Sequence, residues 1–296
     1  MNKKLSKTMI RIMGLFCVLV VVGMMTGCSV QNWTETDYFA PNWTPSGKII
    51  CSKAERKYHK DAITFGDQSA QLDEGHSYIV EMNADGSGEY TLFETDGTPT
   101  LIQKSTSENY VAYIYKDGHV LNVRTSSGPV VSNIDVGDTI YSFDWSPDES
   151  KLAINRTASL PIRVYDRNGD LHKEISAGGQ CSWKYNNKLV FKTDAYSPRK
   201  LAFRDIGQLG DVVIDITSFS NPQYLLNGNK VYLFRDQDIV LYDVNSGVSS
   251  NINISTQGYR APFTSPDGSK IVAEQLDAVR GFWLIDVSSN VRTQLR

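Results

Sequence analysis

The chain has 296 residues with 30 basic and 33 acidic side chains, and its first 27 residues hold four of the bases and no acid, so the remainder carries a charge of −7. An acidic surface without a basic stripe interleaved with aromatics excludes nucleic acid as a partner and disfavours an anionic membrane surface. The 269 residues from Cys28 onward are enough for one large all-β domain with a sizeable core, and no second domain is needed.

The N-terminus reads MNKKLSKTMIR, a cationic stretch, followed by an apolar run of 14 residues from Ile12 to Met25. A membrane-spanning helix needs roughly 20 apolar residues and a secretory signal about 7 to 15, so the length predicts export. The next residues, Met25-Thr26-Gly27-Cys28, resemble a bacterial lipobox, with Met25 where leucine is usual. That resemblance implies a signal peptide over 1–27 and a Cys28 thiol that takes a diacylglycerol and becomes the first residue of an exported, membrane-anchored protein. Ser29 in place of aspartate implies the outer membrane in a Gram-negative envelope, and the cell surface in a Gram-positive one. The plainer alternative is an unmodified Cys28 at the end of an uncleaved signal anchor. Residues 28–39 then read as a tether.

From residue 40 the chain repeats. Strand starts after a turn fall at Lys48, Tyr110, Lys151, Lys188, Lys230 and Lys270, with steps of 62, 41, 37, 42 and 40. Third-strand ends fall at Asn83, Arg124, Asp166, Asp205, Asp243 and Asp286, with steps of 41, 42, 39, 38 and 43. Six units of about 40 residues, each with several strands, are the signature of a propeller. The expected fold is all-β, a six-bladed β-propeller of four-stranded antiparallel blades over 40–296. The long first step in one register and the even first step in the other place an insertion, Glu55 to His76, between the second and third strands of the first unit.

The units PNWTPSGKIICS with SYIVEMNADGSGEYTLF, FDWSPDESKLAI with IRVYDRNG, and APFTSPDGSKIVAE with FWLIDVSS resemble TolB-type propeller repeats. The resemblance is clear in blades 1, 3 and 6 and degenerate in blades 2, 4 and 5. It implies the propeller and no more. A TolB protein is soluble in the periplasm and carries an additional N-terminal α/β domain, for which this chain has no room, so TolB's partner is not carried over.

No position of the repeat supplies an evident reaction. Asp85-Gly86-Ser87-Gly88 reads as a hairpin turn rather than a nucleophile elbow. The four histidines, at 59, 76, 119 and 172, lack the paired spacing of a metal site, so neither metal nor cofactor is expected, although His59 and His76 share the insertion. Cys51 and Cys181 fall in opposite blades, too far apart for a disulfide, and read as small buried apolar residues. The recurrent Asp166, Asp205, Asp243 and Asp286 are expected to cap turns. Trp43, Trp145 and Trp183 are expected between blades, with a channel-lining role as the alternative.

The functional expectation is a non-catalytic protein-binding or assembly module at the envelope, with a protein partner and contact to the membrane through its lipid. A carbohydrate-active or peptide-cleaving enzyme and a ligand sensor are the alternatives. The predicted partner surface combines Tyr58, His59 and Phe65 of the insertion with Tyr196 and Arg199 of blade 4 and Arg280 of blade 6, because aromatic and arginine side chains dominate interfaces.

Overall fold

The computed structural model describes residues 31–60, 71–115, 118–156, 160–185, 187–193, 200–208, 210–216, 219–224, 229–234, 238–252, 254, 259–275 and 282–295. Their contacts divide the chain into two compact units, Asp37–Ala54 with His76–Arg296, and Met1–Thr36 with Glu55–Gly75.

The larger unit is a six-bladed β-propeller, with no helix among its described residues. Blade 1 comprises β1 (Gln31–Trp43), β2 (Ile49–Lys60), β3 (Gln71–Met82) and β4 (Tyr90–Thr95), the first three of which contribute residues to both units. Blade 2 comprises β5 (Pro99–Lys104), β6 (Tyr110–Tyr115), β7 (Val120–Thr125) and β8 (Val130–Asp135). Blade 3 has β9 (Ser142–Trp145), β10 (Lys151–Asn155), β11 (Pro161–Asp166) and the first half of β12 (Leu171–Tyr185). The second half of β12 opens blade 4, ahead of β13 (Lys188–Thr193), β14 (Lys200–Asp205) and β15 (Val212–Ile214), so these two blades form one seven-stranded sheet. Blade 5 is β16 (Ser220–Tyr224), β17 (Lys230–Phe234), β18 (Ile239–Asp243) and β19 (Ser249–Ile252). Blade 6 is β20 (Tyr259–Thr264), β21 (Lys270–Gln275), β22 (Phe282–Asp286) and β23 (Arg292–Gln294).

The turn between the first and second strands of a blade shows why the sequence folds this way. In blade 3, Pro147 follows Ser146, whose amide donates to the carbonyl of Lys151 at 2.9 Å. The Asp148 carboxylate accepts from Ser146 Oγ at 2.7 Å and from the amide of Ser150 at 3.1 Å, which stabilises the reversal. The fourth residue of the turn takes positive φ, and it is Gly47 in blade 1 and Gly268 in blade 6 but Glu108 in blade 2 (63°) and Glu149 in blade 3 (61°).

Middle strands such as Tyr110–Tyr115 read as nearly continuous apolar runs because each blade is covered on both faces. Val111 and Tyr113 pack toward blade 1 with Ile50 and Ile79, whereas Ala112 and Ile114 pack toward blade 3 with Phe143 and Leu152. A period of two thus divides one strand between two seams. Six buried apolar clusters fill the six seams, and the one between blades 6 and 1 joins Val272 and Phe282 to Trp43, Ile49 and Val80. Both terminal blades are built from contiguous chain, as the sequence predicts, so the ring closes by packing and without an exchanged strand.

The insertion departs in form from a plain loop. β2 and β3 are 12 residues each, against five or six for the corresponding strands of the other blades, so Glu55–Lys60 and 71–75 lengthen the strands. β1 likewise begins at Gln31, within the stretch expected as a tether.

Candidate functional site

At the ends of the six innermost strands, one position holds Asn42, Gln103, Asp144, Ser182, Gln223 and Phe263, and the next holds Trp43, Lys104, Trp145, Trp183, Tyr224 and Thr264. Together with Pro45, Thr106, Pro147 and Pro266 of the adjoining turns, and with Tyr141, they line a cavity of about 350 Å³ inside the larger unit. This is the mouth of the central channel. Tyr141 is 59% exposed, so the rim offers an aromatic surface to solvent.

The first ring position ties neighbouring blades. Asn42 takes the amide of Trp43 on its Oδ1 at 2.8 Å and donates through Nδ2 to the carbonyl of Ile102 in blade 2 at 2.9 Å. Gln223 donates to the Pro262 carbonyl of blade 6 at 2.8 Å and accepts from the amide of Thr264 at 3.0 Å. Asp144 accepts from its own blade through the Trp145 amide at 3.0 Å, and from blade 4 through the Trp183 amide at 2.8 Å and Ser182 Oγ at 2.9 Å. Burial pushes the Asp144 carboxyl up to about 6, and the bonds from the Trp183 amide, Ser182 and the Trp145 amide only partly counter it. Burial likewise raises the Cys181 thiol, with the Asp144 charge adding to it, which favours the protonated form of this lining cysteine.

The tryptophans join seams and line the channel at once. Trp43 Nε1 donates to the Phe263 carbonyl of blade 6 and Trp183 Nε1 to the Asp144 carbonyl of blade 3, each at 3.0 Å. The blade 3 copy differs: Trp145 stacks on Tyr110, and its buried Nε1 finds no partner among the described residues.

In blade 2 the tryptophan position is Lys104, and the seam with blade 1 is charged. Glu81 of β3 is fully buried; it accepts from Lys48 Nζ at 2.9 Å and Tyr90 Oη at 2.6 Å, and is hydrogen-bonded to Lys104. Burial pushes the Glu81 carboxyl up, but the bonds from Lys104, Tyr90 and Lys48 together outweigh it and hold the group below the usual carboxylate range. Lys104 also contacts Glu108 at 3.2 Å, and Glu108 accepts from the amide of Ser46 in the blade 1 turn at 2.7 Å. Glu149 repeats the device one blade on, accepting from Ser107 Oγ at 2.8 Å and from the Ser107 amide. A glutamate in the left-handed region costs about 1 kcal/mol; in both turns its side chain reaches the preceding blade, a contact that Gly47 and Gly268 cannot make.

Of the predicted partner surface, Tyr58 and His59 lie on β2, both half-buried. Tyr58 stacks on Trp33 with ring centroids 5.6 Å apart. Phe65, Tyr196, Arg199 and Arg280 lie outside the described residues, as does Cys28. Cys51 and Cys181 are buried in separate seams and not joined in a disulfide. The carboxylates of Asp205, Asp243 and Asp286 cap turns by accepting backbone amides; at Asp286 the bonds from Ser288 and Ser289 hold the carboxyl down at about 2. At Asp166 it is the backbone carbonyl that accepts, from Gly169. Among the described residues no group of His, Cys, Asp or Glu is arranged to hold a metal.

Sequence reasoning missed Asp144 and the Glu81–Lys104 pair. The available signals were a lysine standing in a tryptophan register and a glutamate inside the apolar run Ile79-Val80-Glu81-Met82.

Solved structures share this architecture. A TolB from Acinetobacter baumannii superposes with a TM-score of 0.57 at 10% identity, over 89% of this chain and 79% of that one. An Agrobacterium tumefaciens protein assigned as a TolB gives 0.58 at 15% identity, over 73% and 86%. The fold is a TolB-like β-propeller. Hsv2 of Kluyveromyces lactis gives 0.56 at 11% identity over 86% of this chain and 74% of that one, so the likeness in fold is not confined to TolB structures. No family model matches the sequence, and no curated protein does.

Proposed function

We propose that the protein is a non-catalytic protein-binding module, held at a bacterial cell envelope by acyl chains on Cys28, that takes an extended segment of a partner protein at the channel mouth. The observation that carries this reading is the state of the charged groups there. Lys104 and Asp144 line the mouth, and both are engaged in holding seams. An acid or base of that kind cannot serve a substrate without loosening the ring, whereas Tyr141, the rim prolines and the side chains of Gln103, Thr106 and Ser142 provide contact area and hydrogen bonds for a chain lying across them. A volume of about 350 Å³ admits a few side chains rather than a folded domain. The TolB-like fold accords with this reading, though a fold alone does not assign a function.

The test is capture from intact envelopes with paired variants. Tyr141→Ala with Thr106→Lys alters the mouth, and Val212→Ser alters a comparably exposed residue of an outer strand. The proposal expects a partner retained by the native chain and by Val212→Ser and lost with the mouth variant. Equal retention by all three would refute it. Mass spectrometry of the mature N-terminus tests the anchor separately, since a chain beginning at Met1 or an unmodified Cys28 would exclude it.

A further inference from the structure

The smaller unit carries a surface for which the propeller has no use. On β1, Trp33 stacks against Tyr58 of β2 with ring planes 17° apart, and the indole N–H points its polar edge to Glu35 at 3.3 Å. On β3, Leu72 is 56% exposed. Across β2 and β3 the Lys57–Glu74 pair, at 2.7 Å, leaves both side chains about half in solvent. The two-residue period of a strand puts Lys57, its partner Glu74 and Leu72 on one face and Tyr58 on the other, so the Trp33–Tyr58 stack makes one face of these strands and hydrated charges the opposite one. Tryptophan and tyrosine concentrate in such surfaces where water meets lipid, since each ring buries an apolar body and keeps a polar tip hydrated.

Chain length limits how far that surface can stand from an anchored Cys28. Two residues, Ser29 and Val30, separate Cys28 from Gln31, the first residue of β1, so the three Cα steps span at most about 11 Å. Trp33 is two strand residues further on, at most about 18 Å from Cys28. β1 thus begins within about 11 Å of an anchored Cys28, a reach of the same order as the headgroup layer, which is roughly 5 to 8 Å deep on each side of the hydrocarbon.

We infer that the stacked Trp33 and Tyr58 form a membrane-docking surface that sits in the headgroup layer of the bilayer holding the chain. This rests on the anchor in the proposed function and gives the smaller unit its partner, a lipid surface. The contact is made by aromatic side chains, and the chain beyond the signal is acidic, so zwitterionic lipid suffices and high salt does not release it. The acyl chains supply attachment; the aromatic pair sets the level at which the first strands enter the interface.

The experiment uses the full-length protein as isolated from membranes, reconstituted in phosphatidylcholine vesicles with or without bromine on the upper acyl carbons, which quenches nearby indoles. The chain has five tryptophans, four of them in the propeller strands and the fifth Trp33. The native protein should lose up to about a fifth of its emission in brominated vesicles, with the same loss at high salt. Trp33→Phe keeps an aromatic ring against Tyr58 and should abolish the loss. Equal emission in the two vesicle types, or the same quenching in native and Trp33→Phe protein, overturns the inference; a partner protein covering this surface would give the first of these results. Mass spectrometry of the same sample reports the state of Cys28. An unmodified cysteine sinks the anchor reading, while the quenching still decides the docking surface, because Trp33 then follows the uncleaved apolar run by only eight residues.

Discussion

The seam between blades 1 and 2 and the seam between blades 3 and 4 each enclose a carboxylate beside the channel, and the two are held by opposite means. Glu81 faces two lysines and a tyrosine hydroxyl and stays ionised below its usual range. Asp144 faces two amides and one serine hydroxyl and is raised to about 6. Hydrogen-bond donors satisfy lone pairs, but in a buried seam only nearby cations offset the lost hydration of a full charge. One repeat architecture therefore contains a seam stabilised by ionisation and a seam stabilised by protonation.

The sharpest way to break the first seam is Lys104→Met. It strips Glu81 of its most buried cation, and because Lys48 and Tyr90 remain, the loss should fall at the low end for a broken buried pair, about 3 kcal/mol in a urea unfolding curve. Lys104→Met with Glu81→Gln should recover much of that loss; an additive double variant would show that the charges are not coupled.

Next in size is the response to pH. Asp144 has a folded value of about 6 against an ordinary 3.8, so the folded state binds the extra proton between these limits, and this group's contribution to stability falls as pH rises through that window. The shift corresponds to about 2 to 3 kcal/mol. Glu81 runs the other way: its folded value lies below 4.5, and its contribution is present above that pH and lost as pH falls below it. Unfolding midpoints measured from pH 4 to 7 should show the Asp144 slope in the native chain and its absence in Asp144→Asn. A native slope that survives this substitution would reassign it to another group.

A finer contrast lies within the blade 3–4 region. Trp183→Phe and Trp145→Phe remove the same ring atoms, but only the former removes a hydrogen bond, that to the Asp144 carbonyl. Trp183→Phe should therefore be the more destabilising of the two by about 1 kcal/mol, and equal losses would refute the seam role of the indole N–H. The smallest effect is expected at Glu149→Gly, where relief of the left-handed backbone offsets the loss of the bonds from Ser107, leaving stability within about 0.5 kcal/mol of native.

Much of the propeller was legible because its signals are local. β6, β10, β13, β17 and β21 begin at Tyr110, Lys151, Lys188, Lys230 and Lys270, on the register read from the turns, and β2 begins one residue after Lys48. Turn chemistry and two-residue periodicity act over a few neighbours, so a sequence displays them directly. The channel mouth was not legible in that way. Asp144 meets Ser182 and Trp183, nearly 40 residues onward, and Lys104 meets Glu81 across a blade boundary. The repeat aligns such positions without saying which substitutions compensate one another. β12 hides for a related reason: Gly178 lies where one strand passes from blade 3 to blade 4, and a Cβ there would meet the Phe191 ring at 2.7 Å and the Lys192 carbonyl at 2.8 Å, a close approach set by tertiary packing.

The most direct measurement of binding at the mouth is site-specific photo-crosslinking in intact cells, with a photoreactive phenylalanine analogue in place of Tyr141 and, as the control, of Val212 on the outer strand. The account expects a discrete protein adduct from position 141 that is absent from position 212 and suppressed by Thr106→Lys. Adducts at 212 with none at 141, or adducts at 141 that Thr106→Lys leaves unchanged, would contradict it.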